Sequence, residues 1–341
     1  MDTSVSVLGA GSWGTALAVS LAASGHQTML WARRPVAVAA MAGKRYNPLY
    51  LPDVRIPDAV HVTGDLGTAA RGSRIWVIAT PSHAVRSLAE RLKPFTSSDV
   101  IVVSVAKGIE QDSLFTTTQV LADSLAPSVS MEHIGVLYGP SHAEEVAAGK
   151  PTTLVAATPT IAVAECIQSM FMSTTLRVYV NNDVLGVEIG GSVKNVMAIA
   201  AGIGDGIGYG DNAKAALITR GIAEMQRLGV AMGANPATFA GLTGIGDLVV
   251  TCTSRHSRNR RLGEQIGRGM TPEEAQASML MVAEGVRTAA ATRALAHRYG
   301  IEMPITEAVN TILFEGKKPA DAVHELMTRA AKQEDWYAEL A

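Results

Sequence analysis

Short apolar runs rich in β-branched residues recur through the first half of the chain, and stretches of helical periodicity separate them. These runs lie at 5–8, 28–31, 74–79, 100–105, 134–138 and 152–156. Continuous apolar runs of this length are typical of strands that are buried on both faces of a parallel sheet. Because the strands alternate with helices, the pattern predicts βαβ units and an α/β domain with a doubly wound parallel sheet.

The pattern changes near residue 182, where alanine, glutamate, methionine and leucine begin to recur at helical spacing. Helices are predicted at 213–227, 271–282, 288–298 and 320–332. Pro272 and Pro319 stand near two of the predicted starts, and Thr271 is a suitable N-cap for the first of these. We therefore predict an α/β domain at 1–181 and an all-helical domain at 182–341.

Composition and charge narrow the class of protein. The 341 residues are 48% hydrophobic and 18% charged, with a net charge of −2, so a full core is available and no positive field attracts nucleic acid. Cys166 and Cys252 form no CxxC pair, which fits a reducing compartment.

The uncharged run 228–246 contains Pro236 and several glycines and is a poor membrane span, and a glycine motif from Gly9 leaves no room for a secretory signal. We expect a cytoplasmic protein with no membrane span.

A GxGxxG motif follows the first predicted strand directly and opens a helix-compatible stretch. In Gly9-Ala-Gly-Ser-Trp-Gly14, Gly9 permits a tight turn, Gly11 lets the backbone approach a pyrophosphate, and Gly14 permits close contact between helix and strand. The helix N-terminus offers N–H groups to the phosphates. A glycine turn without a ligand is the alternative, but the strand and helix around this motif favour a Rossmann-type dinucleotide site.

The end of the second predicted strand bears on the choice of cofactor. NAD-specific sites usually have an acidic residue here for the ribose 2′-hydroxyl, whereas this chain has Arg33 and Arg34. Guanidinium groups suit a 2′-phosphate, although two solvated surface arginines are the simpler alternative. The sequence favours NADPH and leaves the use of NADH open.

Polar residues follow three of the predicted strands, at 80–83, at Lys107 and at 139–145. Ligands of open α/β sheets bind outside the carboxyl ends of the strands, so these groups mark a candidate site, although each alone could be ordinary loop chemistry. Lys107 is the strongest candidate, because a cation beside a nicotinamide pocket can hold an anionic substrate. The eight histidines form no HxxxH or HExxH pair, and no metal site is expected.

Lys194 is unusual among the lysines because its neighbours in 188–198 are mostly small and apolar. Desolvation or a nearby positive charge would lower its pKa, and carbonyl reduction needs a proton donor for the oxygen. A lysine whose stem packs on the core while its amine reaches water is the alternative. Asp247 and Thr251 lie four residues apart and share one helical face, although Asp247 could simply cap a helix.

A compact basic cluster follows, with four arginines and one histidine in residues 255–261. A solvated loop or a small nucleic-acid patch are the alternatives. The net charge of −2 and the lack of interleaved aromatic residues argue against nucleic acid. A cluster this compact better suits one phosphorylated small molecule.

Six motifs together resemble the bacterial-type NAD(P)-dependent glycerol-3-phosphate dehydrogenases, in family order and over nearly the whole chain. They are GAGSWGTALA at 9–18, KGIE at 107–110, GPSHA at 139–143, GSVKN at 191–195, GLTGIGD at 241–247 and SRN at 257–259. The resemblance implies a Rossmann domain joined to a helical domain like that of 6-phosphogluconate dehydrogenase. It also implies reversible reduction of dihydroxyacetone phosphate to sn-glycerol 3-phosphate for glycerophospholipid synthesis, and leaves a homodimer open.

The resemblance assigns roles to individual positions. Lys194 is the implied proton donor to the C2 oxygen, and the acceptor in the reverse direction. The other implied substrate residues are Lys107, Gly139, Ser141, Asp247, Ser257, Arg258 and Asn259. The implied cofactor contacts, besides the glycines of the motif, are Ser12, Trp13, Arg33, Lys107, Ala143, Arg258, Val282 and Glu284, with Arg34 as an addition.

Two other functions are compatible with the same residues. A related β-hydroxyacid or 6-phosphogluconate-type dehydrogenase shares the two-domain plan and the catalytic lysine, and a substrate panel with NADPH oxidation would discriminate it. A non-catalytic NADPH-sensing module would bind the cofactor tightly without turnover.

Overall fold

A computed structural model describes residues 4–279, 281–331 and 334. The chain divides into two compact units. The first unit comprises the chain up to Lys107 together with Thr117–Val184, and the second comprises Gly108–Thr116 and the chain from Leu185 onward. Segment 108–116, which the sequence pattern placed with the α/β domain, thus packs in the helical unit, where Ile109 and Leu114 are buried in its core.

The first unit contains the strands and seven of the α-helices in the described part of the chain. The strands are β1 (Ser4–Leu8), β2 (Gln27–Trp31), β3 (Tyr46–Asn47), β4 (Leu51–Arg55), β5 (Val60–Thr63), β6 (Ile75–Ile78), β7 (Ile101–Ser104), β8 (Ile134–Tyr138), β9 (Thr152–Ala157) and β10 (Leu176–Asn181). The helices are α1 (Ser12–Ala23), α2 (Pro35–Lys44), α3 (Leu66–Arg71), α4 (Val85–Leu92), α5 (Thr117–Leu125), α6 (Ala143–Ala147) and α7 (Ile161–Phe171).

Eight of these strands form one sheet in the order β10-β9-β8-β7-β6-β1-β2-β5, and β3 and β4 form a separate antiparallel pair. Apolar side chains are buried on both faces of the sheet. On β6, for example, Ile75 and Val77 pack in one core cluster while Trp76 and Ile78 pack in the other. The double burial explains the continuous apolar runs and confirms the predicted doubly wound α/β class.

The sheet is parallel, as predicted, except between β8 and β9. Strand β9 pairs antiparallel with β8, and β10 pairs parallel with β9, so the last two strands run against the other six. Only the five-residue helix α6 lies between β8 and β9. A parallel neighbour is usually reached through a crossover with a full helix, and the five-residue α6 does not provide one.

The second unit is helical apart from one isolated β-bridge between Ile109 and Thr116, as far as the structure describes it. Its helices are α8 (Val184–Ile207), α9 (Gly210–Ala231), α10 (Asp247–Thr253), α11 (Arg258–Gly267), α12 (Pro272–Ala277), α13 (Glu284–Tyr299), α14 (Pro304–Phe314) and α15 (Pro319–Met327). A π-helical turn, Leu242–Gly246, precedes α10. The helix predicted at 271–282 ends earlier, at Ala277, and the one predicted at 320–332 ends at Met327; residues 280 and 332 of these predictions lie outside the described residues.

Helix α8 is the central helix of the second unit. By length and composition it alone, in the described part of the chain, could cross a membrane, but 89% of its apolar window is buried inside the protein. The residues that bury it come from the neighbouring helices, among them Met225 and Leu228 of α9 and Leu248 of α10. A helix that is mainly apolar is expected in such a core, and the few polar residues of α8, such as Lys194 and Asn195, then need partners.

The carboxylate of Glu224, a buried residue of α9, holds the start of α14. It accepts the N–H groups of Ile305, at 2.6 Å, and Thr306, at 3.2 Å, and also the Thr306 hydroxyl, at 3.2 Å. Helix α14 has no side-chain cap of its own, so this carboxylate supplies it from a neighbouring helix. Burial raises the pKa of Glu224 to about 7, although these hydrogen bonds and Arg227 act in the opposite direction.

We expect the stability contributed by Glu224 to decrease as pH rises. The folded-state pKa of about 7 lies above that of an unfolded glutamate, about 4.3, so the folded protein binds the proton more tightly. The free energy of unfolding of the wild type, relative to Glu224→Gln, should therefore fall by about 2–4 kcal/mol from about pH 4 to about pH 8. Urea unfolding at several pH values measures this difference. A constant difference across that range would show that the carboxyl group does not titrate there.

Candidate functional site

The glycine motif of the first unit forms the tight turn that the sequence predicts between β1 and α1. Gly9 has a φ of +132°, and a Cβ there would lie 2.6 Å from the Ala79 carbonyl. A Cβ on Gly14 would lie 1.9 Å from the Gly9 oxygen, whereas one on Gly11 would meet nothing within 4 Å. Gly11 is the N-cap of α1, and its position has no side-chain cap. The backbone at the start of α1 is thus open to a ligand.

Two further polar residues lie beside this turn: Asn47, which no motif singled out, and Thr80, which belongs to the predicted polar group at 80–83. Asn47 of β3 is buried and donates to the Ala10 oxygen, at 3.0 Å, and to the Thr15 hydroxyl, at 2.8 Å, which fixes the turn. The hydroxyl of Thr80, after β6, is buried without a hydrogen-bond partner among the described residues. Its backbone nitrogen lies 2.9 Å from where a Gly9 Cβ would be. An orphaned hydroxyl beside an open phosphate loop fits a site built for a polar ligand such as a dinucleotide.

The two arginines after β2 differ in their surroundings. Arg34 donates to the Tyr50 hydroxyl, at 2.7 Å, and its guanidinium lies 5.6 Å from the centre of the Tyr50 ring. Arg33 is exposed, and the described residues offer it no ion-pair partner. Arg33 is therefore the better placed of the two to receive a phosphate.

The carboxyl ends of β7 and β8 bring Lys107, Gly139 and Ser141 together, as expected for polar residues that follow strands at one edge of the sheet. The Lys107 amine donates to the Gly139 oxygen at 2.9 Å and lies 5.5 Å from the centre of the Tyr138 ring. The Ser141 hydroxyl donates to the same oxygen, at 3.1 Å. Ala143 is the first residue of α6 and is buried in a small cluster against which Trp13 packs.

In the second unit, α8 buries Lys194 and α10 supplies its partners. The Lys194 amine donates to Asp247 Oδ1 and, at 2.8 Å, to the Thr251 hydroxyl. Asp247 is fully buried, Lys194 is 5% exposed, and Thr251 also donates to the Asp247 backbone oxygen. The Lys194 amine is therefore buried and does not extend to water. Asp247 is not a helix cap, because it is the first residue of α10 and pairs with Lys194.

A close backbone approach makes this pairing possible. A Cβ on Gly190, one helical turn before Lys194, would lie 2.5 Å from the Thr243 oxygen. The absence of a side chain at Gly190 lets the π-helical turn Leu242–Gly246 lie directly on α8. The next residue in the chain is Asp247, so this contact places the carboxylate beside the amine.

The start of α11 carries the three residues of the SRN motif. The Ser257 hydroxyl caps the helix by accepting the Arg260 N–H, at 3.2 Å. Arg258 is exposed and donates to the Val282 oxygen, at 3.2 Å. Val282 is 52% exposed, and Glu284 begins α13. The rest of the basic cluster is not one binding surface, since Arg260 pairs with Asp205, at 2.5 Å.

Asn259 forms an amide bridge between three helices, defined here by Asn195, Asn259 and Gly285. Its Nδ2 donates to Asn195 Oδ1 of α8, at 2.9 Å, and its Oδ1 accepts the Gly285 N–H of α13, at 2.9 Å. Asn195 occurs in the GSVKN motif but had no predicted role, and Gly285 was not among the predicted site residues. The bridge fixes the start of α11, and hence Arg258, relative to the turn of α8 that carries Lys194.

Two further observations concern ligands. Across residues 4–279, 281–331 and 334, no group of three or more His, Cys, Asp or Glu side chains could hold a metal ion. Cys252 is buried near Lys194, and burial raises the pKa of its thiol to about 12, so the thiol is an inert packing group at neutral pH.

We expect Gly285→Ala to break the amide bridge. The added Cβ would lie 2.7 Å from the backbone oxygen of Asn195 and 2.8 Å from Asn259 Oδ1, so the helices must separate. The free energy of unfolding should fall by about 1–3 kcal/mol, which denaturant titration measures. Gly204→Ala on α8 is the matched control, since its Cβ would meet nothing within 4 Å, and it should not destabilise. Equal stability of the two variants would contradict this interpretation of the bridge.

The chain matches two family models that together span most of its length. The model described as the NAD-dependent glycerol-3-phosphate dehydrogenase N-terminus matches residues 4–164, and the corresponding C-terminus matches 183–324. The chain is 62% identical over 336 residues to glycerol-3-phosphate dehydrogenase [NAD(P)+] 2 of Salinibacter ruber, covering 98% of this chain and 97% of that one. It is 54% identical to glycerol-3-phosphate dehydrogenase [NAD(P)+] of Chlorobium phaeobacteroides, covering 98% and 99%.

A solved structure with a similar fold is the glycerol-3-phosphate dehydrogenase of Coxiella burnetii. It has a TM-score of 0.91 and 39% sequence identity, and the alignment covers 96% of this chain and 99% of that chain. These matches confirm the resemblance predicted from the six motifs, whereas the roles of individual residues stay predictions.

Proposed function

This chain belongs to the NAD-dependent glycerol-3-phosphate dehydrogenase family, and we propose that it reversibly reduces dihydroxyacetone phosphate to sn-glycerol 3-phosphate with NADPH or NADH. The buried Lys194–Asp247–Thr251 cluster in the helical unit carries the proposal. Family membership favours this reaction over the related β-hydroxyacid or 6-phosphogluconate type and over a non-catalytic NADPH-sensing module.

Each part of the chain has its own task in this reaction. Residues 1–181 bind the dinucleotide, through Gly9, Gly11 and Gly14 of the phosphate loop, with Ser12, Trp13 and Ala143 beside it. The backbone that Gly11 leaves open and the orphaned Thr80 hydroxyl support this assignment. Residues 182–341 supply most of the substrate contacts, among them Lys194 and Arg258. The cofactor supplies the hydride that the substrate carbon receives.

Lys194 acts as the proton donor. As C2 of dihydroxyacetone phosphate gains a hydride, its oxygen gains negative charge and takes a proton from the Lys194 amine, which is left neutral. The protonated amine also stabilises the oxyanion before transfer, because it is held in place without reorganisation. Asp247 and Thr251 orient the amine through the two hydrogen bonds described above. In the reverse direction the neutral amine accepts the proton.

The remaining contacts are assigned from the charge of Arg258 and from the family resemblance. Arg258 binds the substrate phosphate, because its exposed guanidinium uses one donor on the Val282 oxygen and keeps others for a ligand. Ser257 and Asn259 lie beside it, and Lys107, Gly139 and Ser141 also belong to the substrate set. Val282 and Glu284 complete the cofactor contacts, as the resemblance implies.

Arg33 and Arg34 make NADPH the preferred cofactor, since the exposed Arg33 guanidinium suits a 2′-phosphate. The reaction takes place in the cytoplasm, where both free cysteines stay reduced. Its product enters glycerophospholipid synthesis. Sedimentation of the purified chain would test whether it forms the homodimer that the sequence leaves open.

The experiment that tests the proposed reaction is NADPH oxidation followed at its absorbance band, with dihydroxyacetone phosphate as substrate. We expect turnover with this substrate, and none with 6-phosphogluconate or a β-hydroxyacid in the NADP⁺ direction. Tight NADPH binding without any turnover would instead support the sensing module.

We expect Lys194→Ala to lose about 10²–10⁴-fold in kcat, because a positioned proton donor contributes that much, while NADPH affinity stays nearly unchanged. Lys194→Arg should not restore activity, since guanidinium hardly gives up its proton. The matched control is Lys214→Ala, which removes another partly buried lysine of this unit, paired with Asp205 at 2.7 Å. Thermal unfolding, NADPH titration and kcat are measured for all three variants. A folded Lys194→Ala protein with kcat within about threefold of wild type would transfer the role to Lys107.

We expect Arg33→Asp to shift cofactor preference from NADPH towards NADH. The aspartate repels a 2′-phosphate and can accept a hydrogen bond from the ribose 2′-hydroxyl instead. The kcat/KM values for both cofactors give the ratio, and Arg33→Asp combined with Arg34→Asp tests the second arginine. Arg177→Asp, at an exposed position on β10, is the charge-matched control. If neither the single nor the double variant changes the ratio, the assignment of the 2′-phosphate site is wrong.

A further inference from the structure

A cavity of about 290 Å³ lies within the second unit, separate from the Lys194 cluster. Helices α8, α9 and α15 and the start of α14 form it, and neither Lys194, Asp247 nor Arg258 contributes to its lining. Its walls are mainly apolar. They include Ala201, Leu217, Ile305, Val323 and Leu326. The volume is near the lower end of the range of about 300–1,000 Å³ that small-molecule pockets occupy.

Apolar side chains extend from the cavity to the surface around its mouth. Met327 is 80% exposed and Tyr209 is 42% exposed, and both line the cavity. Leu217 of α9 is only partly buried. Apolar surface left in water at a cavity mouth costs free energy that an apolar ligand would recover, at roughly 25 cal/mol per Å² buried. The mouth is therefore suited to a molecule with a hydrocarbon portion.

Among the residues that the structure describes at the mouth, one cation, Arg220, is available to a ligand. Arg329 pairs with Glu302, at 3.1 Å, so its charge is compensated. Arg220 lines the same cavity and is exposed, and the described part of the chain gives it neither a hydrogen bond nor an ion pair. Glu224 lies on the inner wall, but its carboxylate is occupied by the start of α14. An available guanidinium beside an apolar cavity is complementary to an anion attached to a hydrocarbon chain.

We propose that this cavity binds an anionic amphiphile, with an unbranched hydrocarbon chain between α9 and α15 and a carboxylate or phosphate monoester head on Arg220. The apolar walls accept the chain, and the exposed guanidinium forms charge-assisted hydrogen bonds with the head. The two head groups share this chemistry, and the experiment below separates them. The site is additional to the substrate site and does not depend on the reaction proposed above.

Isothermal titration calorimetry on the full chain tests the proposal, with NADPH at saturation so that the nucleotide site is occupied. The probes are decanoate, decyl phosphate, decanol and inorganic phosphate, each below the concentration at which it self-associates. We expect saturable binding of decanoate and decyl phosphate at one site per chain. Decanol should bind at least about tenfold more weakly than the two anionic probes, and inorganic phosphate should not bind at this site. The stronger of the two anionic probes identifies the head group.

Two variants locate the site. Arg220→Ala should weaken both anionic probes at least about tenfold and leave decanol unchanged, whereas Arg298→Ala, an exposed arginine of α13, should change nothing. Leu217→Trp should abolish binding of all three alkyl probes by filling the cavity. Thermal unfolding verifies that each variant is folded. If Leu217→Trp does not fold, Arg220→Ala still tests the proposal, because it changes a residue at the surface.

Several outcomes would overturn the proposal. Absence of saturable binding is one, and equal weakening by Arg220→Ala and Arg298→Ala is another, because it shows only general charge attraction. Binding that neither Arg220→Ala nor Leu217→Trp alters lies elsewhere on the protein. If the probes do not bind and Leu217→Trp dissociates a dimer in sedimentation, a second copy of the chain covers the cavity instead.

Discussion

A lysine amine buried in the core of a helical unit must have a carboxylate partner, and the arrangement of the second unit follows from that requirement. An unpaired buried charge would cost several kcal/mol, and removing one member of such a pair is strongly destabilising. Lys194 and Asp247 are 53 positions apart, so the chain must return Asp247 to α8. It does so by laying the π-helical turn on Gly190, where a side chain would prevent the contact.

The pair alone would not fix the neighbouring groups, and the amide bridge of Asn195, Asn259 and Gly285 does so. It connects α8, α11 and α13 through two hydrogen bonds of 2.9 Å within the core. The residue next to Asn195 is Lys194, the residue next to Asn259 is Arg258, and the residue next to Gly285 is Glu284. One network thus positions Lys194 within α8 and the first residues of α11 and α13, which gives the rigid geometry that catalysis by proximity needs.

Features that depend on local pattern were predictable from the sequence, and features that depend on distant contacts were not. Buried strands appear as β-branched runs, and Lys194 stands out by its apolar neighbours. The direction of β9 depends on how the connection after β8 turns. β10 was not predicted because it has no continuous apolar run: the exposed Arg177 and Tyr179 alternate with buried apolar residues. Asn195 gave no signal, because an amide becomes a site residue only through its partner on another helix.

Two buried carboxylates of the second unit show why position in the fold decides the chemistry of a group. Asp247 faces a cation, so its charge is compensated within a few ångströms. Glu224 faces mainly neutral N–H groups at the start of α14, so burial dominates and raises its pKa to about 7. Glu224 therefore links the stability of this unit to pH near neutrality, at a place that shares no hydrogen bond with the Lys194 cluster. A change in stability near neutral pH thus originates at the start of α14, where the Glu224 carboxyl accepts the Ile305 and Thr306 N–H groups.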